Sequence, residues 1–321
     1  MTFTGSKALI TGGAGFIGSN IVELLLAEGH DVVVLDDLSS GYKENLFRET
    51  EFVAGDVSTA EKALSAARGC DVIFHLAASV GNTRSIDDPV RDSEVNVIGT
   101  LRVLEAARIY GIKRVVASSS AGIFGELKTL PISEDHPQDP DSPYGTSKLA
   151  AEKICLVYNK LYGMKNVCLR YFNVYGKRQR FDAYGNVIPI FAERMLRHQP
   201  VTIFGDGEQT RDFVHVSDVA RANYFAALSP EATGPFNLGS ASRISINGLA
   251  EMMAGIIGVD VGIVHGPPRP GDVRDSLAAI DRARVAFGFK PSVELEEGLR
   301  SYIEWLRADA VTAARWALQG R

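Results

Sequence analysis

Residues 8–18 read ALITGGAGFIG, an apolar run followed at once by regularly spaced glycines. Gly12, Gly15 and Gly18 form a GxxGxxG pattern between a short predicted strand and an amphipathic helix predicted over residues 16–28. In this setting the first glycine permits a sharp turn, the second lets the backbone approach a pyrophosphate, and the third lets helix and strand pack closely. The N–H groups that begin the helix add a partial positive charge for the phosphates. The stretch therefore predicts a dinucleotide site at the start of a βαβ unit.

The alternation of strand and helix continues through the first half of the chain. Apolar, β-branched runs that predict strands lie at residues 8–11, 31–36, 51–54, 72–76, 114–118 and 167–171. Amphipathic segments such as residues 95–110 separate them, a pattern that favours right-handed βαβ units around a parallel sheet with helices on both faces. After Gly176 the sequence is irregular, with a predicted loop at residues 266–271 and a predicted helix at residues 295–318. We therefore predict an α/β fold, a Rossmann-like doubly wound parallel sheet with a smaller C-terminal lobe.

Composition and charge exclude several classes of protein. The 321 residues are 45% hydrophobic and 23% charged, values that are ordinary for a folded globular chain, and the net charge is −5. No segment concentrates positive charge, so we expect no nucleic-acid or membrane partner. No apolar run reaches the ~20 residues of a transmembrane helix, and no signal sequence is visible. Because Cys70, Cys155 and Cys168 are scattered without metal-ligand spacing, we expect reduced thiols, no metal site and a cytoplasmic location.

Carboxylates at strand ends indicate which dinucleotide binds. Asp36 ends the second predicted strand, where it can accept hydrogen bonds from the adenosine ribose hydroxyls and would repel a 2′-phosphate. No Lys or Arg stands between Asp36 and Tyr42 to offset that repulsion, so the sequence favours NAD over NADP. Asp56 can meet the adenine amino group, and small residues after the fourth strand allow the cofactor to approach closely. The predicted cofactor-binding residues of these strand ends and of the glycine turn are Gly12, Gly15, Phe16, Ile17, Gly18, Asp36, Asp56, Val57, Leu76, Ala77 and Ala78.

A tyrosine and a lysine form the candidate chemical site. Tyr144 and Lys148 follow Ser142-Pro143, a pair suited to cap and begin a helix. Residues i and i+4 share one helix face, so phenol and ammonium point the same way. A nearby cation favours the phenolate, and we expect Lys148 to lower the pKa of Tyr144 toward neutral pH. Serines at residues 118–120 end the fifth predicted strand, where one of them can hydrogen-bond a substrate hydroxyl beside the tyrosine.

Four segments together give the chain a family resemblance that extends from Lys7 to about Trp305. They resemble the extended short-chain dehydrogenases/reductases and, among these, the NAD-dependent nucleotide-sugar epimerases of the UDP-glucose 4-epimerase type. The segments that carry the resemblance are residues 11–18, 118–125, 144–148 and 170–176.

The resemblance implies an architecture and an assembly. It implies an NAD-binding Rossmann-like domain at residues 1–175 and a mainly substrate-binding lobe at residues 176–321, with short returns to the first domain. It also implies a UDP-sugar substrate and a homodimer joined through two helices per subunit, at residues 92–110 and 144–162. The implied reaction is 4-epimerisation of UDP-glucose and UDP-galactose through a transient 4-keto sugar.

The resemblance also assigns roles by position. Tyr144 matches the catalytic base, Lys148 its partner on the nicotinamide ribose, and Ser120 the serine that joins the sugar O4 to the phenol. Tyr144 and Lys148 are therefore predicted cofactor contacts as well as catalytic residues. Asn96 matches a structural asparagine. The positions that match residues around the uracil, the diphosphate and the uridine ribose are Asn173, Val187, Ile188, Arg211, Arg269 and Asp272.

Three further positions bear on the substrate. Val80 stands where many galactose-pathway members carry a lysine, a departure that places close kinship with that subgroup in question. Ser276 matches a residue beside the sugar C2, where a small side chain leaves room for an acetamido group, so we expect the N-acetylhexosamine pair to be accepted too. Arg180 matches an arginine that faces the sugar carboxylate in 4-epimerases of UDP-glucuronate, which makes UDP-glucuronate the alternative substrate.

Two other functions stay open at this point. Dehydratases and decarboxylases share the scaffold, but dehydratases generally need an Asp-Glu pair where this chain has Ala121-Gly122. A non-catalytic, NAD-sensing regulator with this fold usually lacks the tyrosine or the lysine, and both residues are present here. The sequence therefore favours an isomerase.

Overall fold

A seven-stranded parallel sheet is the centre of the computed structural model, which describes residues 5–179, 186–268 and 273–309. Its strands are β1 Lys7–Thr11, β2 Asp31–Asp36, β3 Glu51–Ala54, β4 Val72–His75, β5 Val115–Ser120, β6 Val167–Tyr171 and β11 Gly234–Leu238. The order across the sheet is β11-β6-β5-β4-β1-β2-β3, and every neighbouring pair is parallel. Strands β1 to β6 have the order expected of a doubly wound dinucleotide-binding sheet, so the predicted fold class is confirmed.

Shorter strands form three separate pairs outside this sheet. They are β7 Asn173–Tyr175, β8 Val201–Phe204, β9 Thr210–Arg211, β10 Phe213–His215, β12 Ile244–Ser245 and β13 Ile263–Gly266. Strand β7 pairs with β10 and β8 with β13 in parallel, whereas β9 and β12 are antiparallel. These short ladders belong to the segments that extend beyond the carboxyl edge of the main sheet.

Eleven α-helices lie in the described residues, and none of them is long and apolar enough to cross a membrane. Their bounds are α1 Phe16–Ala27, α2 Ala60–Ala67, α3 Asn82–Asp87, α4 Pro89–Ser93, α5 Gly99–Ile109, α6 Pro143–Tyr162, α7 Val187–Leu196, α8 Val216–Leu228, α9 Ile246–Ile257, α10 Asp281–Phe287 and α11 Leu295–Ala308. The helix predicted at residues 95–110 begins instead as a π-helical turn at Glu94–Ile98, which shifts the side chains of that turn relative to α5. The predicted C-terminal helix is present from Leu295 to Ala308 and ends there, with Asp309 in an extended conformation as its C-cap; residues 310–318 of the prediction lie outside the described residues.

Alternate residues of the strands face two different cores. Leu9, Val33 and Ile73 pack under α2, α5 and α6, whereas their neighbours Ile10 and Val34 pack under α1, α8 and α10. Because both faces are covered, the inner strands are apolar at nearly every position, as predicted. Strand β3 is the exception, since it lies at the sheet edge and most of its residues are exposed. Full burial of each such side chain contributes about 1.5–3 kcal/mol, which makes the two cores the main source of stability.

The second half of the chain builds a third core and also returns to the sheet. Helices α7, α9 and α11 pack around Phe191, Leu249 and Tyr302, beyond the carboxyl edge of the sheet. Residues 216–238 and 281–287, in contrast, pack on the main sheet or extend it. The boundary at residue 175 remains a prediction, because both halves contribute to the main sheet and its covering helices.

A buried ion pair lies directly beneath the carboxyl end of β5. The Arg170 guanidinium donates to both carboxylate oxygens of Glu152 at 2.7 and 3.0 Å and to the Glu134 carbonyl at 2.8 Å. The Ser119 hydroxyl donates to the same carboxylate at 2.7 Å, and both charged side chains are almost completely buried. Each guanidinium nitrogen and each carboxylate oxygen of this pair therefore has a hydrogen-bond partner within the protein.

We expect Arg170→Met to lower the free energy of unfolding by about 3–5 kcal/mol, because it leaves the Glu152 carboxylate buried and unpaired. The double variant Glu152→Leu/Arg170→Met should regain most of that loss, since no charge is then left uncompensated. Urea unfolding of the wild type and both variants measures the effect. A single variant within 1 kcal/mol of the wild type would show that the pair does not carry this role (~1 kcal/mol being the scale of an exposed pair).

Candidate active site

One cavity of about 920 Å³ follows the carboxyl ends of the main-sheet strands and continues between the sheet and the C-terminal helices. Every predicted cofactor-binding residue lines it, from the glycine turn to Tyr144 and Lys148. The predicted substrate contacts that also line it are Ser120, Asn173, Val187, Arg211 and Ser276. The edge where parallel strands end is where open α/β sheets bind their ligands.

The glycine turn after β1 allows other backbone segments and a ligand to approach its own backbone closely. Gly12 has φ +72°, and a Cβ built on it would lie 2.7 Å from the Ala77 nitrogen. A Cβ on Gly18 would lie 2.1 Å from the Gly12 carbonyl oxygen, so neither position accepts a side chain. The turn therefore exposes bare backbone at the start of α1, and these residues fit the pyrophosphate of NAD.

Asp36 is held at the end of β2 by the turn itself. Its two oxygens accept hydrogen bonds from the Ala14 N–H at 2.9 Å and the Leu38 N–H at 2.8 Å. Burial raises the pKa of Asp36, and these two hydrogen bonds act in the opposite direction. Each carboxylate oxygen keeps a further lone pair, so the group can still accept ribose hydroxyls. This geometry fits NAD and disfavours a 2′-phosphate.

Helix α6 presents the candidate catalytic pair as the sequence predicts. Ser142 caps the helix by accepting the Gly145 N–H at 3.1 Å, and Pro143 occupies its first turn. Ser120 lies beside Tyr144: the two side chains share a hydrogen bond, and a Cβ built on Gly122 would be 3.3 Å from the Ser120 Oγ and 3.6 Å from the Tyr144 ring. A hydroxyl of the substrate can therefore reach both side chains at once.

The pKa expected for Tyr144 is not what the structure shows. Burial raises the pKa of Tyr144, and a hydrogen bond from Ser120 opposes that rise. The Lys148 ammonium instead donates to the Ser118 carbonyl at 2.5 Å and to the Ser118 hydroxyl at 3.2 Å, and burial lowers its own pKa to about 8. The prediction that Lys148 lowers the pKa of the phenol is therefore wrong, because the ammonium is directed at the strand end.

A buried polar chain connects the glycine turn to the helix that follows β4. The Ala77 N–H donates to the Thr11 hydroxyl at 3.2 Å, and the Thr11 hydroxyl lies 2.7 Å from Nδ1 of His75. Nε2 of His75 lies 3.0 Å from the Thr100 hydroxyl, which donates to the Asn96 carbonyl at 2.6 Å. Since Thr100 donates its proton to that carbonyl, His75 must donate through Nε2 and accept at Nδ1. Burial lowers the pKa of His75 to about 3, so the ring stays neutral and the chain is preserved across ordinary pH.

Asn96 extends the same support to the catalytic helix. From the π-helical turn, its amide nitrogen donates to the Ser79 carbonyl at 3.0 Å and to the Ser147 hydroxyl at 2.9 Å, while its oxygen accepts the Ser79 N–H at 2.9 Å. The Ser147 hydroxyl also donates to the buried carboxylate of Asp92 at 2.5 Å. Asn96 thus joins the segment after β4 to the residue that precedes Lys148, which is a structural role.

The predicted substrate residues divide into three groups. Asn173, whose amide donates to the Asp212 carbonyl at 3.1 Å, lines the cavity, and so does the half-buried Arg211. Val187 lines the cavity but Ile188 does not, because consecutive helical residues point about 100° apart and Ile188 faces the core under α7. The Ile188 side chain therefore faces away from the cavity, and the contact of this segment with the uracil remains a prediction. Three predicted contacts lie outside the described residues: Arg180, Arg269 and Asp272.

Gln179 and Arg91 are two of the cavity-wall residues that sequence reasoning did not predict. Gln179 is buried, its amide nitrogen donates to the Val174 carbonyl at 3.1 Å, and its side-chain oxygen has no partner among the described residues. Arg91 enters the cofactor end of the cavity from α4 and pairs with Asp56 at 2.7 Å. Neither belongs to a recognisable motif, so only the fold shows that they reach the site.

Lys148→Met should stabilise the cofactor-free protein at pH 7 by on the order of 2 kcal/mol, because it removes a buried charge and keeps an apolar stem of similar length. Folding lowers the pKa of this lysine, so its burial destabilises the protein below pH about 8, and the loss fades as pH rises toward the unfolded value. The advantage of the variant in urea unfolding should therefore shrink between pH 7 and about 9.5.

The control for this measurement is Lys153→Met, which removes an exposed lysine from the same helix. It should change stability little at either pH. A Lys148→Met variant that is less stable than the wild type at pH 7 would contradict the expectation.

Comparison with known proteins identifies the family. The sequence model of the NAD dependent epimerase/dehydratase family matches residues 8–239. The UDP-glucose 4-epimerase of Mycolicibacterium smegmatis is 43% identical over 309 residues, which cover 94% of this chain and 98% of that protein. The solved structure of a UDP-glucose 4-epimerase from Thermotoga maritima with UDP-glucose is 40% identical, with a TM-score of 0.91 over 94% of this chain and 99% of that chain.

A UDP-N-acetylglucosamine 4-epimerase from Methanobrevibacter ruminantium, solved with UDP-N-acetylmuramic acid, also superposes with a TM-score of 0.91. It is 34% identical and covers 95% of this chain and 99% of its own. These matches span both the main sheet and the C-terminal helices. Together with the glycine turn, Asp36 and the Tyr144–Lys148 pair, they show that the chain belongs to the NAD-dependent epimerase/dehydratase family.

Proposed function

We propose that this protein is an NAD-dependent UDP-sugar 4-epimerase that interconverts UDP-glucose and UDP-galactose. The observation that carries the proposal is the single cavity in which Tyr144, Lys148 and Ser120 lie between the glycine turn and the C-terminal helices. The relatives at about 40% identity that are named for this reaction support it. A cavity of about 920 Å³ has room for a dinucleotide at one end and a sugar nucleotide beside it.

The residues of the cavity account for the proton chemistry. Tyr144 accepts the proton of the sugar O4, directly or through the Ser120 hydroxyl beside it. Lys148 holds a positive charge below this pair and orients the nicotinamide ribose. When bound, NAD supplies a reversible acceptor for the C4 hydrogen and a positive ring that favours the phenolate. Asn173 and Arg211 hold the diphosphate while the 4-keto sugar turns, and Tyr144 then returns the proton.

Other activities are less well supported by the site. The turn at Ala121–Ile123, which follows β5, provides no carboxyl group to protonate a leaving hydroxyl, so elimination is disfavoured. A regulator without activity has no need of the capped helix that aligns Tyr144 and Lys148. UDP-glucuronate rests on Arg180 alone, and it is the alternative substrate that a panel of UDP-sugars tests.

We propose a homodimer for the assembly and the cytoplasm for the location. The two predicted dimer helices carry exposed apolar side chains, with Ile98 and Ile109 on one and Val157 and Leu161 on the other. Apolar residues in such a pattern are typical of a helix-to-helix interface. The three cysteines are free and buried, which agrees with a reducing compartment.

Tyr144→Phe should reduce turnover of UDP-galactose by about two to four orders of magnitude, because it removes the proton acceptor and keeps the ring. The fold and the NAD content should be unchanged. The matched control is Tyr162→Phe on the same helix, whose ring is 44% exposed and should retain full activity. If Tyr144→Phe keeps more than a tenth of wild-type turnover with every accepted UDP-sugar, another group is the base.

Ser276→Tyr should abolish activity on UDP-N-acetylglucosamine and spare activity on UDP-glucose. Ser276 is buried in the cavity wall and its N–H donates to the Thr210 carbonyl at 3.1 Å, so a larger side chain must enter the cavity. Overpacking of this kind typically costs about 1–3 kcal/mol, which is enough to exclude an acetamido group. Ser276→Ala is the control and should keep both activities, whereas equal losses on both sugars in Ser276→Tyr would place Ser276 away from C2.

A further inference from the structure

Arg91 joins three separate crossover segments at the cofactor end of the cavity. It lies in α4, where the Asp88 carboxylate caps its N–H at 3.0 Å. The guanidinium lies 2.7 Å from the Asp56 carboxylate, 3.5 Å from that of Asp37 and 3.5 Å from that of Glu94. Arg91, Asp37 and Asp56 all line the cavity. The three ion-paired segments follow β2, β3 and β4, the strands next to the predicted adenosine site.

The two aspartates are oriented toward this guanidinium by their own turns. One oxygen of Asp37 accepts the Ser39 N–H at 2.9 Å and hydroxyl at 2.6 Å, and one oxygen of Asp56 accepts the Ser58 N–H at 2.8 Å and hydroxyl at 2.7 Å. In each case the other oxygen faces Arg91. Both carboxylates are therefore fixed before any ligand binds, and the arginine connects them.

The negative charges at this end of the cavity repel one another unless a cation lies between them. Asp36, Asp37 and Asp56 place three carboxylates around the adenosine position, where NAD brings two phosphates of the same sign nearby. The other described cations that line the cavity are Lys148, which contacts Ser118, Arg84 on α3 and Arg211 in β9. Arg91 pairs directly with two of the three acids, Asp37 and Asp56.

We propose that Arg91 is a cofactor-retaining residue whose ion pairs with Asp37 and Asp56 close the adenosine end of the cavity over bound NAD. The proposal rests on the proposed function, because an epimerase that returns the C4 hydrogen to its own substrate has to keep its cofactor through turnover. A planar guanidinium can also stack on the adenine ring while its edge stays paired with the carboxylates. NAD then leaves only after the ion pairs separate.

We call the ion pairs of Arg91 with Asp37 and Asp56 the clasp. The exposure of these side chains makes the strength of the clasp depend on salt concentration. The side chains of Arg91 and Asp37 are 38% and 31% exposed, so their attraction is screened by salt. Retention that depends on them must weaken as ionic strength rises. The hydrogen bonds of Asp36 and the glycine turn are neutral or buried and have no comparable dependence.

The experiment compares the rate at which NAD leaves the purified holoenzyme of the wild type, Arg91→Met and Asp37→Asn. Each protein is dialysed at about 0.05 and about 0.5 M NaCl, and the remaining nucleotide is released by denaturation and quantified. We expect Arg91→Met to lose NAD about tenfold faster than the wild type at low salt, and Asp37→Asn to be intermediate. Salt should accelerate loss several-fold in the wild type and hardly at all in Arg91→Met. The matched control Arg300→Met removes an arginine whose ion pair with Glu296 lies on the exposed face of α11, and it should behave as the wild type.

Several outcomes would overturn the clasp. The proposal requires that Arg91→Met is folded, which thermal unfolding checks. It is contradicted if this folded variant loses NAD within twofold of the wild-type rate at low salt, or if its rate of NAD loss depends on salt as that of the wild type does. If Arg91→Met does not fold, Asp37→Asn decides, and an unchanged loss rate in that variant overturns the proposal. If the wild type carries NAD and epimerises UDP-glucose, and Arg91→Met retains NAD as well as the wild type does, the role of Arg91 is contradicted. The proposed function is not affected by that result. A wild type that retains no NAD contradicts both.

Discussion

The site depends on the close contact between the glycine turn after β1 and the segment after β4. Gly12 lies so near the Ala77 backbone that a side chain on it would overlap, and the neighbouring Thr11 hydroxyl receives the Ala77 N–H. From there the neutral ring of His75 leads to Asn96, which supports the catalytic helix. The phosphate-binding turn and the helix that carries the tyrosine are therefore positioned by one continuous set of buried contacts.

Two kinds of buried charge lie close together near the end of β5: the Glu152–Arg170 ion pair, which stabilises the fold, and the Lys148 ammonium of the candidate site. Beneath β5, Glu152 and Arg170 hydrogen-bond each other, and Ser119 and the Glu134 carbonyl complete the group. Lys148, one helical turn away on α6, is also buried, and its hydrogen-bond partners among the described residues are the carbonyl and hydroxyl of Ser118. Its pKa near 8 and the raised pKa of Tyr144 show that the fold holds both groups in an environment unfavourable to their ionised forms. Functional groups commonly destabilise the protein that carries them, and under the proposed function NAD would supply the missing interactions when it binds.

The cavity is shared between two parts of the chain that the fold does not separate cleanly. The main sheet supplies the cofactor end through Asp36 and the glycine turn, and the segments beyond it supply Arg211 and Ser276 at the other end. Because α8 and β11 return to the sheet, the C-terminal helices are anchored to the edge where the strands end. The opening between the two parts is therefore a fixed feature of the architecture, and residues far apart in sequence face the same ligand.

Local sequence was enough to predict the strands, the glycine turn and the Tyr144–Lys148 pair, because each depends mainly on neighbours within a few residues. Apolar strands alternating with amphipathic helices suffice for a doubly wound sheet, and a spacing of four on a capped helix suffices to align two side chains. Tertiary structure decided that Ile188 faces the core, that Lys148 points to Ser118, and that Arg91 and Gln179 reach the cavity. These outcomes depend on contacts between segments brought together only by folding, where burial and the available hydrogen-bond partners, rather than local spacing, select the direction of a side chain.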